Sequence, residues 1–339
     1  MTPVRRDLLV GLFLLGLAAC VPLLGPGRYV TTQSTLFFVW AVVVVQWNLV
    51  LGVGGIFSLA QMALFATGAY ATAMLGFYLK WPMLVAMPAG ALVCVLVGML
   101  IGVACLRLRG PYVALLTLAI AQMMYVLIVN DTECFTNGSM GCLPLFGGVR
   151  GIGQFGDLGL RALFPSKWYI AHYYVALALL AAAVAFSIMI LGGPLGLAFR
   201  ALRDNRSYAM SRGIGPFKYQ LWLFALSAFF TGLAGAFYAI HFRVVGPTVF
   251  SFSTLLFLLA MIVVGGIGSI WGPVLGAALL MLADEGMREF PEIRDVGLGF
   301  VTVLFIILCP RGIIGWRSTL GSVWRRQRMR RPPESSPNP

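Results

Sequence analysis

The sequence predicts an all-α fold, a polytopic bundle of about ten membrane segments, and three observations lead there. Hydrophobic residues make up 60% of the 339-residue chain and charged ones 10%, with a mean hydropathy of +0.92. A soluble domain carries roughly 25% charged residues. Apolar runs recur at lengths near the ~20 residues a helix needs to cross ~30 Å of hydrocarbon. The net charge of +13 is gathered between alternate runs instead of being spread along the chain.

Taken in order, the first run, 8–25, follows Arg5 and Arg6 and contains Leu17-Ala18-Ala19-Cys20. It reads as a first membrane helix, with lipoprotein-type processing at Cys20 as the competing interpretation. Runs at 32–52, 63–80, 83–105 and 111–130 follow, with short breaks between them. A long polar stretch, 131–169, precedes the run at 170–192, and a basic one, 193–218, precedes 219–241. Residues 252–284 suit either one long helix or two short ones, 252–266 and 270–284, and the last run is 296–310. Each half would be roughly 22 Å long at 1.5 Å per residue. Short segments interrupted by glycine are where membrane bundles unwind a helix.

Parity and charge together predict the orientation. With the N-terminus inside and 252–284 turning back as two short segments, 16 of the 24 basic residues fall inside but only 3 of the 11 acids. The outside is then neutral, as the retention of Lys and Arg on the cytoplasmic side requires. Residues 1–310 form one transmembrane domain, and 311–339 form a basic cytoplasmic tail, disordered toward its end. Inside also lies Arg200–Lys218, RALRDNRSYAMSRGIGPFK, with five basic residues against Asp204. Its helix-compatible residues, stopped at Gly213, predict a short helix outside the bilayer, available to touch another protein. Outside lies 131–169, which carries Cys134 and Cys142 eight positions apart. A disulfide suits an oxidising compartment; two free thiols are the alternative.

Several chemistries are excluded. None of the lysines, Lys80, Lys167 and Lys218, follows a nucleotide-binding glycine loop. His172 and His241 sit near span ends with no acid at ligand spacing, which reads as interfacial positioning. No predicted span carries Asp, Glu, Lys or Arg near its centre, where such residues would mark an ion or proton path. Metal or cofactor chemistry therefore has no support, and an embedded enzyme lacks the clustered His, Asp or Cys it needs. A passive channel would share the apolar spans but has no use for the basic loop.

The polar features within the membrane are small. Gln46 and Asn48 precede a run containing Gly54, Gly55, Ser58 and Gln61, and a second run holds Gly265, Gly266 and Ser269. Both read VGGIxS. Glycine lets a backbone turn or approach a neighbour closely, and a helix restarting after such a break offers N–H groups to an anion. Tight helix packing is the plainer account of any single glycine.

These residues resemble a known family. NLVLGVGGIFSLAQMALFATGAYATAML from Asn48, LRLRGPYVALLTL from Leu106, Ala201 to Gly213, the GGIGSIWGPVLGAALL stretch within Ser253–Leu280, and LFIILCPRGIIG from Leu304 are similar to the M-type membrane subunit of bacterial ABC importers for branched-chain amino acids. The resemblance covers nearly all the chain after residue 35. It implies a permease paired with a second permease subunit, two cytoplasmic ATP-binding subunits below and a periplasmic solute-binding protein above, with no cofactor. It also implies a bacterial inner-membrane location with both termini in the cytoplasm. Arg200, Ala201, Arg203, Ala209 and Gly213 would belong to the ATPase-coupling loop. Asn48, Gly54, Gly55, Ser58, Gln61, Gly265, Gly266 and Ser269 would line or shape the solute path. Relatives usually have an acid and two alanines where this chain has Arg206, Ser207 and Tyr208. They also usually carry Thr-Gly-Gly where it has Thr136-Asn137-Gly138. Family members also carry urea, short amides and other small solutes.

Overall fold

The computed structural model describes residues 3–25, 27–105, 108, 110–138, 141–163, 165–289, 291–309 and 312–313. Apart from Gly312 and Ile313, the expected basic tail lies outside the described residues.

The chain begins with α1 (Pro3–Cys20), α2 (Arg28–Asn48), α3 (Gln61–Tyr78), α4 (Met83–Cys105) and α5 (Pro111–Val129). After a single-turn α6 (Leu160–Leu163) come α7 (Trp168–Gly192), the short α8 (Pro194–Asp204) and α9 (Arg206–Ser211), then α10 (Pro216–Phe242). The C-terminal part holds α11 (Phe252–Gly265), α12 (Gly272–Gly286) and α13 (Pro291–Leu308). Among the described residues five helices are long and apolar enough to cross a membrane: α2 with its extension to Val53, α4, α5, α7 and α10. Shorter apolar stretches occupy α1, α11 and α13.

The packing rests on small residues. Helix α10 lies at the centre, against α2, α3 and α4. A Cβ at Gly68 would run into the backbone of Gly232, and one at Gly235 would meet the carbonyl of Phe65. Without a hydrophobic driving force between helices in lipid, this close approach is what holds them, through dispersion contacts. Bulky side chains fill the remaining space, with Trp47, Phe65, Tyr173 and Phe237 almost fully buried.

Residues 252–284 form two helices, α11 and α12, packed on each other, with the break at 266–271. Trp271 Nε1, beside the break, donates to the Asp7 carbonyl at 3.2 Å, near the start of α1. At the far end of α12, Glu285 accepts from the Tyr29 hydroxyl at 2.7 Å, near the start of α2. The two helices therefore run to opposite ends of the bundle. Of the two courses expected for 252–284, the chain takes the one with two short helices.

The connections at the Glu285 end contain the little β structure found among the described residues. Strand β1 (Thr136–Gly138) pairs antiparallel with β2 (Gly141–Leu143), and β3 (Ile152–Gly153) with β4 (Val244–Val245), with Ile152 opposite Val245. Cys134 is disulfide-bonded. The side chain of Cys142 is outside the described residues, so the expected pairing is carried forward as a proposal.

Candidate functional site

The site assembles where α2 ends. Instead of stopping cleanly at Asn48, the chain makes one wider π-helical turn, Leu49–Val53, with Gly54 N–H bonding to the Leu49 carbonyl at 3.0 Å and Ile56 N–H to the Val50 carbonyl at 3.1 Å. Gly55 then reverses the direction at φ +66°, a conformation costing an L-residue about 1–2 kcal/mol. Such wide turns leave carbonyls without ladder partners. The Gly52 carbonyl accepts instead from Arg203 Nη1 at 2.6 Å. A Cβ at Gly55 would strike the Arg203 stem, and one at Gly52 would strike the backbone of Gly268.

The second glycine run meets the first. Asn48 is 4% exposed; its Oδ1 accepts from Gly268 N–H at 2.8 Å and its Nδ2 donates to the Ser269 carbonyl at 2.8 Å. Ser269 Oγ donates to the Gly266 carbonyl at 2.8 Å and accepts from Gly272 N–H at 3.1 Å, where α12 begins. Gly265 and Gly266 turn the chain between α11 and α12, with Gly266 at φ +114° and Gly265 lying against the Gly272 carbonyl. The sequence-nominated breaks are thus one structural unit, tied by a single asparagine.

Arg203 brings the basic loop to this unit. The loop is two helices where one was expected. Asn205, at φ −151° and ψ 97°, leaves the helical region between α8 and α9, and its side chain accepts from Tyr208 N–H at 3.0 Å to cap α9. Gly213, at φ +83°, ends α9 as expected, with Ile214 N–H returning to the Ala209 carbonyl at 3.0 Å. That is the backbone pattern a left-handed glycine cap produces. Helix α8 buries Ala198, Phe199 and Leu202, and α9 buries Ala209. Arg200 donates to the Leu191 carbonyl at 3.4 Å near the end of α7, while Ala201 is half-buried. Arg203 Nε bonds Asp204 at 3.0 Å, and Arg212 lies over the Tyr208 ring, 5.4 Å from its centroid.

Ser58 and Gln61 are buried at 3% exposure and partnered inside the bundle. The Ser58 carbonyl accepts from Trp47 Nε1 at 2.8 Å, and Gln61 Nε2 donates to Thr231 Oγ1 and to Ser227 Oγ, the latter at 3.4 Å. Leu59 N–H is taken by Thr117 Oγ1 at 2.9 Å and Ala60 N–H by Ser58 Oγ at 3.3 Å. Two N–H groups just before α3 are therefore taken by side chains, while α3 itself starts without a side-chain cap.

Sequence reasoning singled out Gln46 but missed the cluster it joins, and it missed a second cluster altogether. Gln46 Nε2 donates to Ser187 Oγ at 3.2 Å, and Ser227 Oγ donates to the Gln46 carbonyl at 3.0 Å, joining α2, α7 and α10. Solitary serines in apolar runs were the available signal. His172 and His241, read as interfacial, are buried and face each other, Nδ1 to Nδ1 at 3.0 Å. Asp157 lies 3.6 Å from His172 Nε2, while Arg161 stacks over Trp168 at 4.1 Å and donates to the His241 carbonyl at 3.1 Å. Burial lowers the pKa of Arg161, with Asp157 opposing. Among the described residues no group of three or more His, Cys, Asp or Glu is arranged to hold a metal.

Comparison with known proteins agrees with this architecture. The family model described as "Branched-chain amino acid transport system / permease component" matches residues 29–309. The chain is 33% identical to the high-affinity branched-chain amino acid transport system permease protein LivM of Salmonella typhimurium over 293 residues, covering 83% of this chain and 69% of that one. It is 32% identical to LivM of Escherichia coli K12 with the same coverage. LivH of Escherichia coli K12, named as a permease of a transport system of the same name, is 25% identical over 173 residues, 47% of this chain and 56% of that one. No solved structure matches the chain. The chain belongs to the branched-chain amino acid transport system permease family.

Proposed function

We propose that this family member forms one half of a membrane pathway with a second permease subunit, driven by two cytoplasmic ATP-binding subunits and supplied by a periplasmic solute-binding protein. The chain is a permease subunit of a branched-chain amino acid ABC importer and is not itself an enzyme. It spans the membrane many times, and we place it in the bacterial inner membrane with both termini in the cytoplasm.

The observation that carries the coupling role is the bond from Arg203 to the Gly52 carbonyl. A movement imposed on α8 and α9 by an ATP-binding subunit would reach the end of α2 directly. Through Asn48 it would continue to the break between α11 and α12. Both breaks shape the solute path in this reading by acting as hinges. Alternating access then needs no charged group within the bilayer, since the bistable element is the pair of glycine turns. Arg200, Ala201, Arg203, Ala209 and Gly213 form the coupling loop.

Gly213→Pro tests it. Proline fixes φ near −65°, incompatible with +83°, so α9 loses its stop while the membrane helices are untouched. In proteoliposomes holding the assembled importer, the variant should insert and assemble yet lose solute-stimulated ATP hydrolysis. Normal stimulation would refute the coupling assignment.

A further inference from the structure

A cavity of about 300 Å³ opens between the first glycine break, the start of α5, the coupling helices and α10. Its walls differ sharply. One side presents Arg203 and Arg206, and another presents apolar Ile56, Val113 and Phe224. Asp204 binds Arg203 Nε, so one charge is partly offset by a carboxylate. Arg206 has no carboxylate within 4.0 Å among the described residues, and its Nε is shielded without a hydrogen-bond acceptor. A partly buried guanidinium without a counter-charge is costly, so the uncompensated Arg206 on the cavity wall favours an anion there. Helix α5, 19 residues long with Pro111 in its first turn, starts at Gly110 on the rim of the same cavity and adds the positive end of its dipole. Phe57, also on the cavity wall, is 43% exposed.

We propose that this cavity holds the phosphodiester headgroup of an anionic phospholipid. A cationic wall selects the phosphate, and an apolar wall opening beside an exposed phenylalanine suits the attached hydrocarbon. Basic pockets between membrane helices on the cytoplasmic side are where such headgroups bind. A soluble phosphate would gain nothing from the second wall. The proposal rests on the reading that the coupling loop lies at the cytoplasmic surface, but its test requires no transport. The headgroup would sit between the coupling helices and the Gly54–Gly55 hinge, so lipid composition would set how firmly the two are joined.

The test uses the assembled importer in nanodiscs of phosphatidylcholine with and without phosphatidylglycerol, the anionic headgroup of the proposal. Native mass spectrometry counts the phosphatidylglycerol retained after detergent washing. Wild type should retain it at least tenfold better than Arg206→Gln, with Arg206→Lys between them. Arg212→Gln removes a charge from the same loop but outside the cavity and should retain lipid like wild type. Val113→Phe fills the cavity without altering charge and should lose retention as Arg206→Gln does, and a yield of assembled complex matching wild type in each variant guards against misfolding. Equal loss in Arg206→Gln and Arg212→Gln would mean diffuse surface charge and overturn the proposal. Displacement by millimolar inorganic phosphate would identify a soluble anion instead, and displacement by leucine would place the cavity on the solute path; either overturns it. Loss of solute-stimulated hydrolysis in Gly213→Pro would bear on coupling alone and leave lipid retention unchanged.

Discussion

Replacing Asn48 with alanine should separate the two glycine breaks, and its size follows from the contacts. The side chain makes two bonds of 2.8 Å, accepting from Gly268 N–H and donating to the Ser269 carbonyl. Interhelical hydrogen bonds in membranes average only about 0.6 kcal/mol, with a maximum near 1.7, because the unfolded chain finds substitutes. Here both partners are backbone groups in an irregular segment, where no helical ladder can take over. The upper end of that range therefore applies to each bond, and the loss should be about 2–3 kcal/mol. Unfolding of the purified permease pair in mixed detergent micelles, followed by tryptophan fluorescence, reads this directly. Asn48→Asp retains the acceptor for Gly268 but loses the donor to Ser269 and buries a carboxyl, so it should be no better than alanine. A loss under about 0.5 kcal/mol in Asn48→Ala, within the scatter of neutral substitutions, would show that the breaks are held by packing alone.

Gly55→Val and Gly266→Val place a side chain at φ +66° and +114°, costing at least 1–2 kcal/mol each by the left-handed penalty; leucine uptake should fall steeply while ATP-binding subunits still co-purify, and unchanged uptake would remove both glycines from the path. Ser166→Cys, in the 131–169 loop, should react with a membrane-impermeant maleimide in intact spheroplasts, and labelling only after lysis would reverse the orientation. Peptide mapping without reductant should recover Cys134 joined to Cys142, and a Cys134 linked elsewhere would correct the pairing.

Local signals were legible and long-range ones were not. Gly213 could be read as a helix stop because a left-handed cap is a property of a few adjacent residues. The apolar runs were equally plain, since each carries its own length and composition. Asn205 was hidden because Asp204 and Arg206 beside it suit a helix, so the run looked continuous; only the side-chain cap on Tyr208 N–H reveals the break. The glycine runs could be nominated from composition, but not their meeting, for Asn48 and Gly268 are 220 residues apart and Arg203 and Gly52 are 151 apart. The histidine pair escaped for the same reason: separated by 69 positions, each looked like a lone residue at a span end.

The contact between Arg203 and Gly52 also accounts for the residue types found there. A wide turn frees a carbonyl at the end of α2, and a buried carbonyl without a donor costs about 1–3 kcal/mol. Water could satisfy it, but water would transmit no motion. Arginine satisfies it from the coupling helix while its Nε stays on Asp204, which one planar guanidinium can do and a lysine ammonium on a flexible stem holds less firmly. The side-chain stem then needs the space that a Cβ at Gly55 would occupy. Gly52, Gly55 and Arg203 are thus mutually required: the glycines let the backbone turn and admit the arginine, and the arginine closes the hydrogen bond that the turn leaves open. A basic loop and a glycine run, each unremarkable alone, become a mechanical joint only as a pair.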